Sequence, residues 1–539
     1  MIKKDVIVVG AGFAGMQLLH HLRREGFNAL ILESASEVGG TWFHNRYPGC
    51  RCDVESMQYS YQFDKELEQE WKWTELYPSQ PEILEYAKHV ASRFDLKKDI
   101  QFNTRVQSAE YRKNHQHWLI TTTTGEQFQA QFCIMATGNL SVPNTPRFNG
   151  LEDFKGEVYH TARWPEQPVD FTGKRVAVIG TGSSGIQAIP VVAEQARQLT
   201  VFQRSASYSL PAGNRPLSTE EINNTRNNYQ QLRDKASQSF GGVVFKGEVN
   251  EQSVFDVSET EQQAEFEQRW QDGGVGFTHS YSDLLLNSDA NEIASEFIRN
   301  KIRTIVKDKT TAELLCPTDL FACKRPCIDT NYYDTYNRDN VSLVSIKDNP
   351  IECFTEKGLI TDNTEYQFDA LILATGFDAM TGAVRNIKIE GNDQQRLDNI
   401  WSQGSDNYLG LAVHGFPNLF TVTGPGSPSV LTNVMVSIHQ HVNWITDCIS
   451  YMRTKQLGSI EATIKAQTSW LEQVNTIAGY TLYPSCNSWY LGANIPSKPR
   501  QFMPYAGGVP GYRQICQSVV ENDYEGFQFQ PAGSTSNDH

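Results

Sequence analysis

Two runs of apolar and β-branched residues, each delivered directly into a glycine triplet, set the plan of the chain. The first, Asp5–Val9 (DVIVV), has the continuous apolar character of a strand buried on both faces and leads into Gly10, Gly12 and Gly15 of GAGFAG. Apolar residues then fall at helical spacing, Leu18, Leu19 and Leu22, before Gly26, and a second strand over 28–32 ends at Glu33. The pattern returns later: Arg175–Ile179 (RVAVI) runs into Gly180, Gly182 and Gly185 of GTGSSG, with Ser183 and Ser184 between them, then a helix and a strand over 199–202. In such a unit the first glycine allows a tight turn, the second lets backbone approach a pyrophosphate, the third packs helix on strand, and the helix N-terminus faces the anion. Two dinucleotide sites are predicted. Glu33 suits a ribose hydroxyl, whereas the second unit ends in Gln203 and Arg204, where a cation accommodates a 2′-phosphate and points to NADPH. Taken singly, each triplet is also an ordinary turn and Arg204 an ordinary surface arginine.

The remaining pattern fills in around these units. Helical spacing over 81–94 is followed by short alternating runs over 100–132, which predict antiparallel strands, and by a buried strand ending in an Ala-Thr-Gly turn at 136–138. A linker with Pro143 and Pro146 comes next. Residues 216–318 turn polar and helical, with Ser218 and Glu221, and Ser258 and Glu261, at capping-box spacing. A second Ala-Thr-Gly turn opens ATGFD at 374–378, and later come a strand over 419–422 and a helix over 438–449. The stretch 39–56, GGTWFHNRYPGCRCDVES, is too rich in glycine, aromatics and arginine for helix or strand and reads as a long functional loop. The fold class is α/β: two Rossmann-like dinucleotide-binding domains, with a helical insertion in the second. The first domain takes residues 1–140 and 374–539, the second 141–215 and 319–373, and the insertion 216–318.

Composition narrows the functional classes. At 539 residues the chain exceeds one hydrophobic core, and its net charge of −15 has the wrong sign for nucleic acid or an anionic membrane. No apolar run reaches the roughly 20 residues of a membrane span, and the glycine loop begins too early for a signal peptide to precede it, so a cytoplasmic protein is expected. Ten scattered cysteines form no disulfide framework, and free thiols are expected. Cys50, Cys52, Cys323 and Cys327 have unusual spacing for zinc ligands, and His439 and His441, two apart, face different sides of a helix. No metal is expected.

Between the two glycine loops lies FKGEVYHTARWP, with Phe154, Gly156, His160, Trp164 and Pro165 at fixed offsets. With the GTW…YPG…D loop that contains Thr41, Trp42 and Asp53, the Lys324-Arg325-Pro326 tripeptide and ATGFD, it resembles, in the same order and over almost the whole chain, the type I Baeyer–Villiger monooxygenases. That resemblance implies FAD in the first site and NADPH in the second. The implied reaction uses O2 to insert one oxygen beside a ketone carbonyl through a flavin peroxide, giving an ester or lactone, with sulfoxidation as a side activity. It implies that Arg325 is the active-site cation and Asp53 its carboxylate partner, that Lys324 is a second contact to the 2′-phosphate, and that Trp489 sits on a C-terminal loop closing over nicotinamide and substrate. His160 and Trp164 would couple cofactor movement to catalysis. Arginine suits the role because a flavin peroxide must stay deprotonated beside a fixed positive charge, and a guanidinium keeps its proton. Asp53 by itself is also an ordinary loop-capping carboxylate. The stretch Gly424–Asn433 looks two residues longer, at Ser429 and Val430, than in cyclohexanone monooxygenase and resembles that of phenylacetone and steroid monooxygenases. Ser429, Val430, Leu431 and Trp489 are therefore expected at the substrate pocket, with linear, aryl or bulky ketones accepted, by a monomer or weak homo-oligomer.

Two alternatives share the two-site plan. A flavin-containing or N-hydroxylating monooxygenase would attack nitrogen or sulfur, which the Trp164-Pro165 ending disfavours. A pyridine-nucleotide disulfide reductase would need a cysteine pair spaced by four residues, where Cys50 and Cys52 are spaced by one.

Overall fold

The structure, a computed structural model, describes residues 1–533. Its frame is two sheets. The first has eight strands and centres on Ile2–Val9, which pairs in parallel with Ala29–Leu32 on one side and with Gln127–Met135 on the other. Val106–Arg112 and His117–Thr122 extend it as the expected antiparallel strands, and Leu419–Thr421 adds to Gln127–Met135 in parallel. Val6, Ile7 and Val8 are fully buried, the burial on both faces that a continuous apolar run requires. The second sheet is wholly parallel, in the order Val341–Ser345, Gln198–Gln203, Arg175–Ile179, Ala370–Leu373, Glu157–His160.

Each glycine triplet bends its chain from strand to helix. The helices Phe13–Arg24 and Ser183–Gln195 follow Gly12 and Gly182, and no side chain caps either one, so their first-turn N–H groups remain free for an outside acceptor. Gly10 and Gly180 both have positive φ, 107° and 110°. A Cβ on Gly10 would lie 2.6 Å from the carbonyl oxygen of Ala136, and one on Gly180 would strike the carbonyl of Ala374. The two Ala-Thr-Gly turns are thus the walls against which the two glycine loops are pressed.

Two crossings connect the sheets and pair with each other. Residues 136–146 leave the first sheet, and residues 374–383 return from the second. They bond as antiparallel backbone, from Asn144 N–H to Gly376 O (2.8 Å), Asp378 N–H to Val142 O (2.9 Å) and Met380 N–H to Asn139 O (2.9 Å). The segment between sequence landmarks that held the fingerprint is the neighbour of this crossing: Glu157–His160 is the outer strand of the second sheet, and the His160 ring lies 3.2 Å from both Asn144 O and Thr375 Oγ1.

Residues 216–318 are mainly helical, and both predicted capping boxes form, Ser218 with Glu221 and Ser258 with Glu261. Helix Val434–Thr454 packs on Phe13–Arg24, where Gln17 Nε2 meets His439 Nδ1 at 2.9 Å. Two expectations need correction. The 39–56 stretch is not loop throughout, because Thr41–His44 forms one helical turn after Gly40. Nor are all cysteines free: Cys323 and Cys486 form a disulfide, and the other eight are thiols. Their separation of 163 residues leaves no spacing for a sequence to display. Among the described residues no helix is long and apolar enough to cross a membrane, and no cluster of three or more His, Cys, Asp or Glu is placed to hold a metal ion.

The chain after Arg325 is tied down by the strand Cys327–Asp329, which pairs in parallel with Ser209–Pro211. Asp329 accepts from Ser209 Oγ (2.5 Å) and from Tyr332 N–H (2.8 Å). Burial pushes its carboxyl up to about 6, partly offset by these two bonds. The folded protein therefore holds this proton at a pH where the unfolded chain has lost it, so the stability it contributes is present below pH 4 and is lost as pH rises through about 6. Asp329→Asn should accordingly gain stability over the wild type between pH 5 and pH 8, by up to about 2 kcal/mol, in urea unfolding measured across that range. A pH-independent difference would show that Asp329 titrates normally.

Candidate functional site

The two glycine loops open into one cavity of about 1200 Å³. This exceeds the roughly 300–1,000 Å³ of a single small-molecule site. A separate cavity of about 390 Å³, lined by Arg51, Gln187, Asp329 and Arg338 among others, reaches neither glycine triplet nor Arg325.

At one end of the large cavity, Gly10, Gly12 and Glu33 line the wall, with Gly15 packed behind on the carbonyl of Gly10. Glu33 Oε2 accepts from Ala11 N–H (2.6 Å) and Oε1 from Ala35 N–H (2.7 Å), so the carboxylate that suits a ribose also holds the glycine loop to the end of the second strand. Thr41 and Trp42 border the same region, and the Trp42 indole donates to Tyr59 Oη at 2.9 Å. At the other end, Gly180, Gly182, Ser183 and Ser184 line the wall, and Gly185 packs behind on Gly180. Arg204, exposed, and Lys324, 3.4 Å from Asp319, bring two cations to this end. Free helix N-termini and close backbone approach at both ends, with Arg204 and Lys324 lining the second, fit two dinucleotides, the second with an extra phosphate.

Between the two ends sits Arg325. Its Nε and Nη2 both bond the Asp53 carboxylate, the latter at 3.1 Å, in a bidentate pair. Its Nη1 donates to the carbonyls of Val430 (3.1 Å) and Thr432 (3.2 Å). These contacts engage four of the five guanidinium N–H groups, and the fifth, on Nη2, is left for the cavity. Burial works against the charge, but the adjacent carboxylate of Asp53 outweighs it, and the pKa of Arg325 lies above the ordinary arginine value. The nearby thiols are no rivals as nucleophiles. Burial pushes Cys50 up to about 12 and Cys327 up to about 11, so neither is a thiolate at neutral pH.

The C-terminal segment lines the cavity at Asn487, Ser488, Trp489, Ala493 and Asn494. Trp489 lines it, with Tyr490 buried beneath at a ring distance of 4.4 Å. Val430 lines it too, while Ser429 and Leu431 do not; Ser429 is buried and accepts from Asn139 Nδ2 at 2.6 Å. The fingerprint residues Phe154, Gly156, His160, Trp164 and Pro165 lie off the cavity, and of that stretch only Ala162 and Arg163 reach it. Trp164 stacks on Tyr159 at 5.1 Å, within the second sheet's flank. Sequence reasoning missed the two carbonyl acceptors of Arg325, which are backbone atoms. It also missed Lys498, whose buried ammonium bonds Asp378 (2.7 Å) and Ala379 O (2.6 Å), because nothing in its local sequence distinguishes it.

Comparison with known proteins finds relatives over almost the whole chain. A family model described as "Pyridine nucleotide-disulphide oxidoreductase" matches residues 7–267. The phenazine N-monooxygenase of Lysobacter antibioticus is 43% identical over 527 residues, covering 97% of this chain and 96% of its own. The cyclohexanone 1,2-monooxygenase of an Acinetobacter species is 43% identical over 533 residues, covering 98% and 96%. Among solved structures, an oxidised steroid monooxygenase bound to NADP superposes with a TM-score of 0.94 at 48% identity, covering 98% of this chain and 100% of that one.

Arg204→Ala should raise the KM for NADPH about tenfold or more and leave that for NADH nearly unchanged, because only the former carries the phosphate that the guanidinium would hold. Steady-state kinetics with both coenzymes measure this, and an equal loss for both would make Arg204 structural.

Proposed function

The chain belongs to the Baeyer–Villiger monooxygenases, FAD proteins that use NADPH, and from that premise we propose that it inserts one atom of O2 beside the carbonyl of a ketone to give an ester or lactone. The observation that carries the reading is the Arg325 guanidinium, fixed by Asp53 at the meeting point of two dinucleotide-shaped ends of one cavity. FAD would lie along Gly10, Gly12 and Glu33, and NADPH along Gly180, Gly182, Arg204 and Lys324. When bound and reduced, the flavin supplies the activated oxygen.

The chain's own residues then have three tasks. Arg325 keeps a positive charge beside the reacting oxygen and offers its free Nη2–H to the oxyanion that develops as the carbonyl is attacked. Asp53, with the carbonyls of Val430 and Thr432, holds that guanidinium in one orientation, which removes reorganisation from the reacting step. Trp489 and its segment exclude water, which would otherwise divert the activated oxygen. Val430 borders the ketone from the side of the longer loop, and linear, aryl or bulky ketones are the substrates expected. Oxidation at nitrogen is the second reading, supported by the relative named for phenazine N-oxygenation. Assays for product on a panel of ketones and N-heteroaromatics decide between them.

Arg325→Ala should leave NADPH-driven flavin reduction within a few-fold of wild type and lower oxygen insertion by at least about 100-fold. Stopped-flow reduction and product analysis separate these steps, and normal ester formation would remove Arg325 from its role. Val430→Ala keeps the backbone carbonyl that holds Arg325 and trims only the cavity wall. It should shift relative kcat/KM among ketones by about 10-fold or more, with flavin reduction unchanged. An unaltered ketone profile would place the side chain away from substrate.

A further inference from the structure

The disulfide joins the two segments that frame the active site. Cys323 lies two residues before Arg325, and Cys486 lies three before Trp489; their Cα atoms are 5.7 Å apart. Beyond Cys486 the chain runs along the cavity wall as a strap, lining it at Asn487, Ser488, Trp489, Ala493 and Asn494, and its one regular turn is Trp489–Leu491. The far end of the strap is fastened by Lys498, through its bonds to Asp378 and Ala379. The strap is therefore held at both ends, by a covalent bond beside Arg325 and by a buried ion pair beside the second Ala-Thr-Gly turn. Between them Tyr490 is buried and Asn494 Nδ2 donates to Phe377 O (2.6 Å), so the stretch nearest the disulfide, 487–489, depends most on that bond; the Ser488 hydroxyl, buried, has no partner among the described residues.

We propose that Cys323–Cys486 is a thiol–disulfide exchange site whose partner is a dithiol reductant, and that reduction frees the near end of the strap and loosens its closure over the coenzyme. The proposal rests on the reading that NADPH and substrate lie beneath this strap. In the exchange, a thiolate of the reductant attacks one cysteine sulfur, the S–S bond breaks, and the departing cysteine takes a proton. The reductant's second thiol then displaces the mixed disulfide, leaving two cysteine thiols and an oxidised dithiol. Two electrons and two protons pass to the protein. Cys323 and Cys486 are only 3% and 6% exposed, so attack requires the strap to lift. Whatever holds the strap down, bound coenzyme included, must slow the reduction, and reduction must in turn weaken coenzyme binding. Eight other cysteines remain thiols in the same structure, which sets this pair apart from a general disulfide framework.

The test uses FAD-loaded protein before and after dithiothreitol. Thiol titration under denaturing conditions should rise from eight to ten, and saturating NADP+ should slow that rise. Hydrogen exchange of residues 487–500, followed by mass spectrometry, should be about tenfold faster in the reduced protein. Product formed per NADPH consumed should fall by at least about half, with more peroxide released, while flavin reduction is unchanged. Cys486→Ser should match the reduced wild type and be insensitive to dithiothreitol; the reduced wild type makes the same comparison should that variant fail to fold. Ten thiols after treatment with oxidised glutathione, or identical exchange in both redox states, overturns the proposal. If exchange differs but no ketone is oxygenated in either state, the strap inference stands and the functional reading falls. If ketone is oxygenated equally in both states and exchange is identical, the strap inference falls and the functional reading stands.

Discussion

A guanidinium inside a cavity is tolerable only when its charge is answered, and the answer from Asp53 organises the rest of the molecule. The pair draws together residue 53 from the loop after the first nucleotide unit, residue 325 from the chain beyond the helical insertion, and residues 430 and 432 from near the C-terminal part of the first sheet. Leaving either charge unpaired in this position costs several kcal/mol, by the measure of other buried pairs. The cavity therefore takes its working shape only when all three segments are in place. The stoichiometry of hydrogen bonds matters as much as the charge. A lysine in place of Arg325 would offer three donors from a single atom, and could not satisfy a bidentate carboxylate and two carbonyls while still facing a reacting oxygen.

The nucleotide ends obey a simpler constraint. In each, a strand must hand its chain to a helix without any side chain occupying the space where phosphate belongs, and must do so against a neighbouring wall. Gly10 faces Ala136 and Gly180 faces Ala374 in the same relation, so the two Ala-Thr-Gly turns and the two glycine loops are matching halves of one joint used twice. The ends differ at the close of the second strand of each unit, where one has Glu33, bonded to backbone, and the other Arg204, with Lys324 also lining that wall.

What the sequence made legible follows from this division. Strand, glycine triplet and helix are local, and the capping boxes are set by residues three apart, so periodicity and spacing suffice to find them. Arg325 and Asp53 were legible as residue types within motifs. Their shared acceptors were not, because the carbonyls of Val430 and Thr432 carry no side-chain signature. The helical turn Thr41–His44 hides inside a composition that argues for loop, and it forms because the preceding Gly40, with φ of 55°, turns the chain into it. The Cys323–Cys486 bond and the Lys498–Asp378 pair join positions more than a hundred residues apart, which no local pattern encodes. The fingerprint residues flank the second sheet, and His160 touches the crossing between the sheets, a contact with Asn144 and Thr375 that no local spacing displays.

That crossing has a mechanical consequence. A single strand linking two bodies is a swivel and permits rotation about every axis. Two strands bonded side by side, as 139–144 and 376–380 are, resist twist and shear because either motion would break their backbone hydrogen bonds together. They bend readily only about the line that runs across the ribbon. A relative displacement of the two sheets that twists or shears this ribbon would break those bonds together, whereas one that bends it near residues 144 and 376 would spare them.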